Sequence, residues 1–174
     1  RWADQCIFKH DVCRKLTDMD IGQNIAENTK SAAILEVPYV DFLERFYKEI
    51  MKFDISNIDK YNPPHGVGHF TQQIWAKTEY IGCGASFYQL SEKKNKHYVY
   101  LVCNYAPRGN VIESHIYERG EPCSACPNGT TCEDGLCANV TMSTTALGRK
   151  LNIDFNMFSV ILIPILCYFI SKIF

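Results

Sequence analysis

The residues best placed to do chemistry in this sequence are its nine cysteines, four of which fall between Cys123 and Cys137. Their spacing is C-x2-C-x5-C-x4-C. Two chemistries suit it: zinc held by close pairs of soft ligands, or two disulfides formed in an oxidising compartment. The surrounding stretch, GEPCSACPNGTTCEDGLCAN, is rich in turn residues and carries the glycan acceptor pattern at Asn128 and again at Asn139. Those features favour disulfides over zinc for Cys123, Cys126, Cys132 and Cys137. Four cysteines allow three connectivities, and spacing does not choose among them. Cys83 and Cys103 lie on two strand-like segments, where a bridge between neighbouring strands fits. Cys6 and Cys13 are left to pair with each other or with residues upstream of Arg1. No cysteine is accompanied by a histidine in an arrangement that would activate a thiol. Ser86 and Ser114 lie outside any G-x-S-x-G elbow, so a nucleophilic mechanism is not expected.

Composition narrows the classes further. The 18 basic and 19 acidic residues leave a net charge of −1. That lacks the basic excess on which binding to nucleic-acid backbones depends, so no nucleic-acid partner is expected. With 47% apolar and 21% charged residues, the chain is neither disordered nor multispanning. Its 174 residues suffice for one ordinary domain and not for two full-sized ones.

Several elements must carry these residues. Residues 1–17 read as the end of a helix and a loop holding Cys6 and Cys13. The run YVDFLERFYKEIMKF from Tyr39 to Phe53 sets Val40, Leu43, Phe46, Tyr47 and Ile50 on one helical stripe. Residues 60–68, KYNPPHGVG, form a loop, and a short helix fits 70–75. Segments 80–88 and 97–104 have the β-branched and aromatic enrichment of strands, joined by the polar SEKKNK. That lysine run reads as a solvated loop. Trp75, Phe70 and Tyr105 read as core aromatics, His65 as a loop residue, and His97 and His115 as solvent-facing.

The last 18 residues, MFSVILIPILCYFISKIF, contain one charge, Lys172. Upstream stand the small residues Ser143, Thr144 and Thr145 and a polar spacer. Small triplet, spacer and apolar tail match a glycosylphosphatidylinositol signal, and a transmembrane span is the other expectation. Membrane association, if the protein has it, is expected through this tail, where Cys167 is the odd cysteine.

Two longer stretches, GHFTQQIWAKTEYIGCG at 68–84 and YLVCNYAPRGN at 100–110, resemble the signature motifs of the CAP superfamily. That group comprises cysteine-rich secretory, antigen 5 and pathogenesis-related proteins. RWADQCIFKHDVC and IGQNIAE resemble its arthropod antigen 5 branch, the venom allergen 5-like proteins. The resemblance implies an α/β fold, a three-layer α-β-α sandwich, for residues 1–112. It further implies a cysteine-rich hinge-like module at 113–138, before the spacer at 139–156 and the tail at 157–174. It also implies about 40–50 residues, including a first helix, ahead of Arg1. Cysteines there would pair with Cys6 and Cys13, and Cys83 would pair with Cys103.

By the same resemblance His10, Gln23, Glu49 and His69 surround a central cleft. Gln23 stands where the wider family has Glu, although antigen 5-like proteins share the glutamine. Gln hydrogen-bonds but carries no charge and is neither acid nor base. His10, Glu49 and His69 then remain as a three-ligand set that suits zinc. The alternative is a hydrogen-bonded polar cluster that orients the cleft. The function implied is an extracellular, secreted binding protein whose partner is a lipid, sterol or host protein. A metal-dependent hydrolase using the His/Glu cluster is the alternative.

Overall fold

The computed structural model describes residues 1–16, 18–62, 65–139 and 167–170, of which Asn139 and the last four are described by backbone alone. The described residues divide into two compact units, one within 1–117 together with 167–170, the other within 118–139.

The first unit is organised by the strand that is apolar on both faces. β5 (His97–Ala106) is the central strand, flanked by β3 (Gly22–Lys30) and β4 (Tyr80–Gln89), both antiparallel to it. Alternate residues of a strand point to opposite faces, and β5 obeys this closely. Val99, Leu101, Cys103 and Tyr105 join Ala26, Ala85, Phe42 and Phe46 in one cluster. Tyr98, Tyr100 and Val102 join Ile25, Tyr88 and Ala3 in another. The first face is covered by α1 (Tyr39–Tyr47), the second by the 3-10 turn Ala3–Gln5. Helical cover on one face, sheet in the middle and the N-terminal turn on the other reproduce the three layers expected. Two short strands, β1 (Lys15–Leu16) and β2 (Met19–Asp20), form a hairpin ahead of β3.

The stripe expected on α1 is displaced. Phe42 and Phe46 are the buried residues of the helix, with Tyr39 partly buried, whereas Val40, Leu43, Tyr47 and Ile50 are exposed. Positions 39, 42 and 46 form the neighbouring i, i+3, i+7 row, and it carries the larger aromatic rings. The α-helix also ends at Tyr47 and tightens into a 3-10 turn, Lys48–Lys52, so helical phasing does not extend to Ile50. α2 (Gly68–Gln73) begins and ends earlier than its sequence pattern suggested. Phe70, Trp75 and Tyr105 are buried as expected. The first unit continues past residue 112, because Ile116 is buried with Tyr61 and Trp75 and its backbone bonds that of Ile58.

In the second unit β6 (Thr130–Glu133) pairs with β7 (Leu136–Asn139) around Asp134 and Gly135, both at positive φ. Its disulfides are Cys123–Cys132 and Cys126–Cys137. The expected Cys83–Cys103 bridge joins β4 to β5 at directly opposed positions. Cys6 is in a disulfide, whereas Cys13 is exposed and free, so these two do not pair with each other. Most of the expected C-terminal tail, and the lipid-signal triplet at 143–145, fall outside the described residues. Within the tail, β8 (Cys167–Ile170) runs antiparallel to β4. Among the described residues no helix is long and apolar enough to cross a membrane. The side chain of Cys167 falls outside the described residues.

Candidate functional site

The four residues singled out for the cleft are held as two pairs. Glu49 sits in the 3-10 turn that follows α1, and His69 in the first turn of α2. Helix N-termini present unsatisfied N–H groups, and one carboxylate oxygen of Glu49 accepts two of them, from His69 at 2.9 Å and Phe70 at 3.1 Å. Its other oxygen lies 2.7 Å from His69 Nδ1. The imidazole is stacked on Phe46, with ring centroids 4.6 Å apart. On its other side the His69 carbonyl accepts a bond from the buried amide of Asn24. Asn24 Nδ2 also donates to the Tyr105 hydroxyl. Burial pushes the Tyr105 phenol up to about 12, partly opposed by that bond.

The second pair stands at the start of β3. Gln23 Oε1 accepts the backbone N–H of Asp11 at 3.1 Å and lies 3.0 Å from His10 Nδ1. Its Nε2 donates to Asn104 Oδ1 at 2.9 Å, and the two residues face each other across β3 and β5. A backbone N–H only donates, so the glutamine oxygen must face His10, and His10 Nδ1 must carry the proton. Ionised Glu49, an acceptor only, sets the same tautomer on His69. Both imidazoles therefore present Nε2 as the nitrogen with a free lone pair in the neutral state.

This geometry bears directly on the ligand set. Both oxygens of Glu49 are already engaged, by the His69 ring and the α2 backbone. His10 and His69 each keep one nitrogen, and Glu49 and Gln23 are the groups that orient them. Among the described residues, the group of three metal-ligating side chains with atoms within 4.8 Å of one another is Cys123, Cys126 and Cys137. Those sulfurs are committed to disulfides. His10, Glu49 and His69 do not form such a group.

The serines weighed as nucleophiles are placed elsewhere. Ser86 is fully buried and its hydroxyl donates to Asp4. Ser114 lies in a loop, where its carbonyl accepts from Tyr61. His65 and His115 are exposed and His97 is half-buried. Asn128, the first glycan acceptor, is exposed in a turn of the second unit, and the side chain of Asn139 is outside the described residues. Sequence reasoning missed Asn24 and Asn104. The signal for Asn24 was its place beside Gln23 in IGQN. Asn104 becomes visible only through the strand register.

Comparison with known proteins bears on the family and the fold. The model of the cysteine-rich secretory protein family, CAP, matches residues 1–105. Venom allergen 5 of Tityus serrulatus is 42% identical over 150 residues, covering 84% of this chain and 35% of that protein. Venom allergen 3 of Solenopsis invicta is 42% identical over 122 residues, covering 68% of this chain and 51% of the relative. The chain thus spans between about a third and a half of the length of these relatives. The crystal structure of NaASP2 with Zn2+ superposes with a TM-score of 0.57 at 32% identity, covering 78% of this chain and 68% of that one.

Proposed function

Because the chain belongs to the cysteine-rich secretory protein family, CAP, we propose that it is an extracellular binding protein of the venom allergen 5 type. Its partner would be apolar, a lipid, a sterol or the apolar face of another protein, and it would act without hydrolysing what it binds. The observation that carries this reading is the double engagement of Glu49. A hydrolytic zinc usually has three protein ligands and an open position, and an activated water needs a nearby base. Glu49 already holds the His69 ring and two backbone N–H groups of α2, which leaves the two imidazole Nε2 atoms as the ligands these pairs offer. Were zinc bound, as in the NaASP2 crystal, His10 and His69 would hold it through Nε2. Gln23 and Glu49 would be the outer groups that fix the rings. Bound there, zinc would supply Lewis-acid polarisation. The metal-dependent hydrolase reading lacks support from this donor set.

The apolar partner is supported by the outer face of α1 and the turns after it. Val40, Met51 and Ile55 are 67%, 86% and 58% exposed, and an apolar partner would remove these side chains from water. Secretion is supported by the disulfides and by the venom proteins among its relatives. The test is saturable binding of a fluorescent cholesterol analogue to protein purified from a eukaryotic culture medium. Binding weakened by Met51→Lys with Ile55→Lys supports the reading. Absence of binding to this analogue and to fatty-acid analogues removes the lipid and sterol partners.

A further inference from the structure

The central sheet has a second end, remote from the imidazoles, where strand register gathers positive charge. β3 runs from Gln23, beside His10, to Lys30, a distance of about 23 Å for seven extended residues. Lys30 is paired with His97, the first residue of β5, and His97 is paired on its other side with Gln89, the last of β4. The loop between Gln89 and His97 contributes Lys93, Lys94 and Lys96, all exposed. Residues 28–31 and 89–97 together hold these four lysines and one carboxylate, Glu92, in a chain whose net charge is −1. None of the four is in an ion pair among the described residues.

The loop is built to keep these ammonium groups outward. Ser91–Lys93 forms a 3-10 turn closed by the Lys93 N–H to the Leu90 carbonyl at 2.9 Å. The Lys96 N–H bonds the Lys93 carbonyl at 2.9 Å, and the Gln89 side chain donates to the Lys94 carbonyl. The main chain is thereby pinned against the sheet end. The exposed lysine side chains extend from this fixed base.

Charges this close act together. At physiological salt an isolated surface charge is screened within about 8 Å, whereas a cluster maintains a local potential that attracts a polyanion. The type of cation matters as well. Lysines are strongly hydrated point charges without the fork that grips one phosphate bidentately, so they suit anionic groups spaced along a chain. The patch also lacks what a bilayer site needs. Leu90, 38% exposed, is its one exposed large apolar side chain, too little to insert among acyl chains.

We propose that this end of the sheet is a docking surface for a linear sulfated polysaccharide of the extracellular matrix, separate from the His10–His69 cleft. The extracellular reading enters only in naming where such a polymer is met; binding in vitro is independent of it. The test uses immobilised heparin in 0.15 M NaCl, with the disulfide-bonded full chain as analyte. Wild-type protein is expected to bind. The variant K30S/K94S/K96S is expected to bind at least about tenfold more weakly, a loss of about 1.4 kcal/mol. K48S/K52S/K77S, which removes the same charge from exposed positions elsewhere, is expected to change binding less than about twofold. Unchanged circular dichroism shows that both variants are folded. The proposal is overturned by absence of wild-type binding, by equal losses in the two variants, or by phosphatidylserine-rich vesicles that compete as well as soluble heparin.

Discussion

The carboxylate of Glu49 joins two elements: one oxygen lies 2.7 Å from Nδ1 of His69, and the other receives the backbone N–H of the same residue at 2.9 Å. A single side chain thus orients an imidazole and satisfies the start of the helix that bears it. Since Phe46 stacks on that ring, the packing of α1 and the position of His69 are coupled.

Glu49→Ala removes both roles. Loss of a helix-terminal acceptor costs about 1 kcal/mol, and a bond to a charged group about 1.5–3 kcal/mol. Urea denaturation should show Glu49→Ala destabilised by about 2–3 kcal/mol, with Glu49→Gln closer to wild type because its amide oxygen still accepts the backbone bonds.

Gln23 is buried and makes three bonds through one amide group. Gln23→Ala strands the Asp11 N–H and leaves His10 without its orienting acceptor, for an expected cost of about 1–3 kcal/mol. Combined with Glu49→Ala, the losses should add if the two pairs are energetically independent, and a double-mutant cycle reads that directly.

Gly109 has no room for a side chain. A Cβ there would stand 2.8 Å from both the amide nitrogen of Gln72 and the ring of Trp75. Gln72 is itself buried and accepts the Gly109 N–H, so it cannot simply withdraw. Gly109→Ala should lower the thermal midpoint by several degrees, the shift that about 1–3 kcal/mol of overpacking gives in a domain of this size.

Alkaline titration probes the tyrosine core. Burial raises the phenols of Tyr39, Tyr61, Tyr88, Tyr100 and Tyr105, the last to about 12. A group whose folded value lies above its unfolded value stabilises the fold fully below the unfolded value, near 10. That contribution then falls as pH rises from about 10 to about 12. Phenolate absorbance should rise in two phases, exposed tyrosines first. Tyr105→Phe should flatten the loss of stability across that window, and an identical slope in the variant would contradict the burial assigned to Tyr105.

Much of this arrangement was readable in the sequence, for identifiable reasons. β4 and β5 announced themselves through β-branched and aromatic residues, whereas the burial of β5 on both faces emerged only with the packing. Cys83 and Cys103 could be matched because they sit on those two strands. The α1 stripe was misplaced by one row, since YVDFLERFYKEI offers two overlapping apolar rows and only packing selects Phe42 with Phe46. The cleft residues were identified by motif resemblance, but not the roles of their atoms. That Glu49 spends both oxygens on His69 and α2 depends on a turn changing from α to 3-10 geometry at Lys48. No residue pattern displays that change. The lysine patch was hidden for a related reason: Lys30 joins Lys93, Lys94 and Lys96 only through register between β3 and β5.

The claim on which the functional reading rests is that Glu49 is structurally committed to His69 and α2, so that the protein binds its partner without hydrolysing it. Its most direct measurement is turnover of labelled casein and of an activated ester, with and without added zinc, by wild-type protein beside His69→Ala. The account predicts rates for wild type that equal those of His69→Ala under every condition. Zinc-dependent turnover by the wild-type chain, abolished in His69→Ala and in Glu49→Gln, would contradict it.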